Sequence, residues 1–283
     1  MNNFGGQWTK DKMEIFMKYL PAYLTIMNSV IERKDYAKNW KLIYFDGFAG
    51  SGAIIENDDE SFVEGVSTRV LSVEKPREFD LYRFVDLDEK NATDLRLLID
   101  TKFLSKKAKV RIYNDDFNEV VLKLADFMKN DKKYKCLAFV DPYGMSVNWS
   151  SLEALKGLSI DMWILVPTGL GANRLLKKDG NISDAWFEKL EKFLGISKAE
   201  INNEFYKPIL TLFGEEKSKE TDSIAKIHNI YKARLNTIFK YVSDAYVMKN
   251  NKNSIMYHFL LASNNQTAID IANDIVGTGI SKI

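Results

Sequence analysis

Along the first forty residues the apolar positions Met13, Phe16, Met17, Leu20, Tyr23, Leu24, Met27, Val30 and Ile31 recur at steps of three and four. That spacing predicts an amphipathic helix with a core-facing stripe and Thr9 as its N-cap. Pro21 falls inside the pattern, so the helix either bends there or gives way to a second one. The period then changes. Residues 41–45, 81–85, 110–113, 137–140 and 162–166 are short β-rich runs, ending in turn at Asp46, Asp86, Asn114, Asp141 and Pro167. Helical patterns over 66–73, 91–99, 117–128 and 151–155 separate them. This is the alternation of βαβ units and predicts a buried, largely parallel sheet.

After Val166 the pattern is mostly helical, over 173–178, 183–194, 197–213 and 222–241, the last carrying Ile224, Ile227, Tyr231, Leu235 and Ile238 on one face. Two β-like runs, 244–249 and 255–263, flank a polar stretch, and a helix over 267–275 follows. The expectation is an α/β, Rossmann-like, doubly wound sheet of seven strands, mostly parallel, with the last strand antiparallel. It divides the chain into an N-terminal helical segment (1–40), a Rossmann-like domain (41–170 with 242–283) and a helical insert (171–241).

Composition narrows the chemistry. Forty Lys and Arg against 39 Asp and Glu leave a net charge of +1, so no strongly basic arm marks a nucleic-acid binder. The lysine clusters Lys106, Lys107, Lys109 and Lys132, Lys133, Lys135 could contact phosphate, but balanced charge makes them solvated loop residues. One cysteine, Cys136, excludes an internal disulfide and a zinc ribbon and fits a reducing, cytoplasmic setting. With two histidines, His228 and His258, a three-histidine metal centre cannot be built, and no metal site is expected. Both histidines read as packing or surface residues. Lys10, Asp11, Lys12, Glu14 and Lys18 interrupt the first apolar stretch, so neither a signal peptide nor a membrane span is expected.

In an open parallel sheet, ligands lie beyond the carboxyl ends of the strands, which makes the residues ending the five runs the first candidates. Asp46, Gly47, Phe48, Ala49, Gly50, Ser51 and Gly52 form a loop of order G-x-x-G-x-G. It lacks the lysine of a P-loop and is not the G-x-G-x-x-G of dinucleotide sites, so ATP hydrolysis and NAD binding are disfavoured. What remains is a loop whose bare backbone lets a ligand approach, or a structural turn. Asp86 can accept both hydrogen bonds of a ribose diol; the competing reading is a solvated turn acid. Glu56, Asp58, Asp59, Glu60 and Glu64 crowd the intervening segment and read as a hydrated surface loop. Asp115, Asp116 and Phe117 offer acids for an exocyclic amine and a ring for a purine, or else a helix N-cap. The sharpest signal is Asp141, Pro142, Tyr143, Gly144: a carboxylate and a carbonyl can hold an NH2 group while a tyrosine stacks on the base carrying it, aligning the nitrogen for in-line displacement. An Asp-Pro turn is the alternative.

Together these motifs resemble class I S-adenosylmethionine-dependent methyltransferases, and more closely the three-Cys-motif partner protein family. The similarity runs from about Thr9 to Ser263 and rests on a Thr-x-x-Lys start (Thr9 to Lys12), the loop Phe-Asp-Gly-Phe-Ala-Gly-Ser-Gly (Phe45 to Gly52) and Asp-Pro-Tyr-Gly. The resemblance implies the class I methyltransferase fold and S-adenosylmethionine as cofactor. It implies transfer of a methyl group to an amine nitrogen of a nucleobase, nucleic acid or similar acceptor. It also implies a separately encoded partner with three clustered cysteines that resembles radical S-adenosylmethionine enzymes. By the same resemblance Phe45 to Gly52 hold the methionine part of the cofactor, Asp86 and Leu87 the ribose, Asp116 and Phe117 the adenine, Lys12 the cofactor carboxylate, and Asp141, Pro142 and Tyr143 the acceptor. The other role it allows is a cofactor-binding, catalytically inactive subunit that acts by complex formation. Amino-methyltransferases acting on bases carry Asp/Asn-Pro-Pro-Tyr/Phe, whereas this chain has a single proline.

Overall fold

The computed structural model describes residues 7–56, 61–211 and 214–278. Helix α1 (Gln7–Arg33) is a single helix of 27 residues that runs through Pro21 without a second start. It begins before Thr9, so Thr9 lies within its first turn rather than capping it. Its apolar stripe is buried at Met13, Phe16, Leu20 and Leu24.

The strands are β1 (Lys41–Asp46), β2 (Ala53–Glu56), β3 (Ser61–Glu64), β4 (Leu81–Val85), β5 (Val110–Tyr113), β6 (Tyr134–Val140), β7 (Ile160–Val166), β8 (Tyr206–Thr211), β9 (Gly214–Lys219), β10 (Tyr241–Val242), β11 (Tyr246–Lys249) and β12 (Ile255–Ser263). The helices after α1 are α2 (Val66–Leu71), α3 (Glu89–Lys102), α4 (Phe117–Asn130), α5 (Trp149–Glu153), α6 (Asn173–Leu175), α7 (Asp184–Leu194), α8 (Lys198–Phe205), α9 (Ser223–Leu235) and α10 (Gln266–Thr278).

The central sheet runs β10-β12-β7-β6-β1-β4-β5, with β11 also on β12. Strands β5, β4, β1, β6 and β7 are parallel. Strand β12 is antiparallel to β7, β10 and β11. The sheet is thus mixed and Rossmann-like with an antiparallel last strand, and it has eight strands instead of the expected seven. The difference is β10, two residues that share one edge of β12 with β11. Order reverses at β1: β4 and β5 build outward on one side, and the chain then returns to β6 on the other.

Both faces of the sheet are covered. One apolar cluster joins α1, α2, α3 and α10 to Tyr44, Phe84, Phe139 and Trp163; the other joins α4, α5 and α7–α9 to Phe45, Val140 and Ile164. Residues 171–241 therefore pack into the sheet's own core. They are not wholly helical: the helix expected over 197–213 stops at Phe205, and β8 and β9 form an antiparallel hairpin. A second hairpin, β2 with β3, follows the glycine loop; Asp58, Asp59 and Glu60 of the acidic segment lie outside the described residues, and Glu64 is exposed.

Of the two lysine clusters, expected as solvated loop residues, Lys106 alone is buried, while Lys107 and Lys132 are exposed. Lys106 is buried and donates to the carbonyls of Leu71 and Val73 at 2.6 and 2.9 Å. Lys107 pairs with Asp100, Lys109 with Glu78 and Lys133 with Asp131. Lys135 lies over the Trp40 ring. Among the described residues no helix is long and apolar enough to cross a membrane, and no cluster of acidic, histidine or cysteine side chains could hold a metal ion.

Candidate functional site

A cavity of about 440 Å³ opens where strand order reverses, between the carboxyl ends of β1 and β6. This is where an open α/β sheet offers a crevice, and the volume lies within the roughly 300–1,000 Å³ of ligand sites. Its walls include Asp46, Phe48, Gly50 and Ser67 on one side, Asp141 to Gly144 on another, and Trp8, Lys12 and Tyr257.

The glycine loop is held from both neighbouring strands: Gly47 N donates to Phe139 O at 2.9 Å and Ala49 N to Val85 O at 2.8 Å. At Gly47 a Cβ would lie 2.7 Å from the Phe117 ring, so only glycine lets α4 approach this closely. Gly50 has φ +59 with open space where a side chain would be, which leaves its backbone bare toward the cavity. Phe45 is buried in the core and Ser51 is outside the cavity lining, while Ala49 and Gly52 belong to it.

Asp46 ends β1 as a buried carboxylate that accepts from Tyr44 OH (3.1 Å), Ser67 Oγ (3.0 Å) and Phe48 N (3.3 Å). Burial pushes it up to about 7; these hydrogen bonds only partly offset the cost, and the nearby Asp141 adds to it. Asp141 takes the ammonium of Lys12 on Oδ2, with the two side chains 20% and 8% exposed. Tyr143 is 67% exposed, with its ring edge-on to Phe48, and burial with the surrounding acids holds its hydroxyl above the ordinary tyrosine range.

The residues expected to hold ribose and adenine stand apart from the cavity lining. Asp86 Oδ2 accepts from Gly50 N at 2.8 Å, and Oδ1 accepts from Asp88 N at 2.9 Å and Asn91 Nδ2 at 3.2 Å. Its carboxylate therefore braces the glycine loop from behind. Leu87 is 72% exposed. Asp116 caps α4 through the Asn118 amide at 2.6 Å, the N-cap alternative. Phe117 is buried, with Phe48 stacked on it at 5.1 Å, so Phe48 is the ring of that pair on the cavity wall.

Ser67 and Tyr257 line the cavity without having been singled out in the sequence. Ser67 sits in α2 and Tyr257 in β12, each far from either motif in sequence. A nearly continuous apolar run marks β12, but nothing local says that its Tyr257 meets Trp8 of α1. The two histidines stack at 4.2 Å, and His258 Nδ1 lies 2.8 Å from Thr168 Oγ1. Burial pushes His258 down to about 4, with His228 adding to the shift. Burial also holds the Cys136 thiol well above its ordinary range, leaving a packing residue rather than a nucleophile.

No family model matches the chain. No curated protein matches it. Among solved structures it is similar to the crystal structure of a possible exported protein from Bordetella parapertussis, at 9% identity and a TM-score of 0.35. That match covers 82% of this chain and 65% of the other, so the chain spans less than two thirds of its neighbour's length.

Proposed function

We propose that the chain is an S-adenosylmethionine-dependent methyltransferase acting on an amine nitrogen, of a nucleobase or similar amine, together with a three-cysteine-motif partner protein in the cytoplasm. The observation that carries this reading is the meeting of the glycine loop and the Asp141-Pro142-Tyr143 motif on one cavity at the strand-order reversal. An order with β1 central and an antiparallel β12 beside β7 supports the methyltransferase class within Rossmann-like folds.

The residues present fit a cationic cofactor. Bare backbone at Gly50 and the Phe48 face can take an extended ligand, and Asp46, once ionised, places an acidic group beside the cavity. When bound, S-adenosylmethionine supplies an electrophilic methyl group on a positively charged sulfur. The chain's own part is positioning: Asp141 and the adjoining carbonyl accept hydrogen bonds from the acceptor amine, and Tyr143 offers an exposed ring. Binding calorimetry with S-adenosylmethionine, S-adenosylhomocysteine, NAD and ATP tests the reading, with the first two expected to bind. Asp141→Ala should abolish turnover with the partner present and leave cofactor affinity within a few fold. Absence of S-adenosylmethionine binding, alone and with the partner, would sink the reading.

A second reading, a cofactor-binding subunit that works through complex formation, is favoured by one feature. Lys12 already occupies an oxygen of the carboxylate assigned to the acceptor.

A further inference from the structure

We infer that the corner formed by Asp141, Trp8 and Tyr257 is a recognition site for a primary alkylammonium group, and that Lys12 is its built-in occupant. It is a binding site that stands without the cofactor and goes beyond the function proposed above, since an alkylammonium nitrogen has no lone pair and would have to lose a proton before it could accept a methyl group.

Trp8 and Lys12 are four residues apart on α1, so their side chains share a face. The Lys12 ammonium sits 5.0 Å from the centre of the Trp8 ring while bonding Asp141 Oδ2. Tyr257 packs against Trp8 at 5.3 Å. All four line the same cavity. A carboxylate beside an indole face suits an ammonium on an apolar stem: the acid takes N–H donors and the ring attracts the charge. Asp141 Oδ1 has no hydrogen-bond partner among the described residues, which leaves an acceptor for a further N–H.

Charge decides the class of ligand. A neutral amine that displaced Lys12 would leave a largely buried carboxylate without compensation, whereas an alkylammonium restores the pair. Lys12 is also tethered, so it competes at high effective concentration, and an incoming ammonium prevails only if it brings contacts elsewhere. The occupant thereby rejects small amines and admits those carried on a larger partner.

The test is binding of n-butylammonium chloride to wild type, Lys12→Ala and Lys12→Ala/Asp141→Asn, by calorimetry and thermal unfolding at constant ionic strength. Expected is saturable binding to Lys12→Ala, at least tenfold tighter than to wild type and lost in the double variant. Tetramethylammonium, a cation without N–H donors, should bind Lys12→Ala at least tenfold more weakly. Equal responses of the three proteins, or equal binding of the two cations, overturn the inference. Lys12→Met, which keeps the stem along Trp8, is read the same way if the alanine variant does not fold. Tighter binding of Nα-acetyl-lysine methylamide than of 1,4-diaminobutane identifies a lysine side chain as the source of the ammonium, and the reverse a free polyamine; either upholds the site. S-adenosylmethionine is titrated separately: its failure to bind removes the cofactor reading and leaves the ammonium site standing.

Discussion

Replacing Asp46 by asparagine should stabilise the protein at alkaline pH. Asp46 is 1% exposed, and burial raises its pKa from 3.8 to about 7. In the unfolded chain it ionises near the ordinary value, so the folded state retains a proton that the unfolded state has lost. A raised carboxylate pKa gives stability that is intact below pH 3.8 and lost as pH rises to about 7. Between about pH 5 and pH 7 the loss is roughly two units at 1.36 kcal/mol each, just under 3 kcal/mol. Asparagine escapes that loss because it stays neutral. Its own cost is small. The amide oxygen can keep the Phe48 N–H, and Ser67 Oγ can donate to Ala49 O at 3.1 Å instead. Only the Tyr44 hydroxyl loses its acceptor, worth about 1 kcal/mol. Urea unfolding of both proteins from about pH 5 to pH 9 isolates the effect, since other titrating groups cancel in the difference. The gap should move by about 3 kcal/mol toward the variant by pH 8 and then level off. A gap independent of pH would refute the assignment of a neutral-range titration to Asp46.

Three further outcomes are expected. Gly195, the left-handed C-cap of α7 at φ +68, lies where a Cβ would approach Trp149 to 2.2 Å, so Gly195→Ala should cost about 2–4 kcal/mol in urea unfolding. His258, depressed to about 4 from 6.5, takes up its proton more readily in the unfolded chain. Stability should therefore fall by up to about 3 kcal/mol between those two pH values, and His258→Gln should remove that part of the acid slope. Under the function proposed here, a cationic ligand favours ionised Asp46 and a neutral one does not. Calorimetry should therefore show the preference for S-adenosylmethionine over S-adenosylhomocysteine rising by up to tenfold per unit as pH increases toward about 7.

The strands were legible wherever a β-rich run ended at a polar or turn residue, as at Asp46 and Asp141. They were illegible where the pattern fits two periods. Tyr206, Ile209 and Leu210 continue the helical stripe that α8 ends at Phe205, yet β8 uses them in an isolated ribbon whose edge tolerates Pro208. Strand β10, of two residues, is too short for any periodicity to mark. For the cavity, contiguous motifs could be read directly, while Trp8, Ser67 and Tyr257 are joined to it only by topology.

What the motifs could not carry is the state of each acid. Asp46, Asp86 and Asp141 all end parallel strands around the order reversal, and as letters in a sequence they are equivalent. Folded, they are three different groups. Asp46 is buried against two hydroxyls and one amide, so it takes up a proton near neutrality. Asp86 spends its oxygens on two backbone amides and Asn91, so it works as a brace. Asp141 is paired with a lysine 129 residues away, so its chemistry depends on whether Lys12 stays. The partners that separate these roles arrive from α1, α2 and α3, whose approach is set by packing on the opposite side of the sheet from the Asp141 motif's own helix, α5. Strand ends therefore locate the chemistry, and the helices that cover them decide what each acid does.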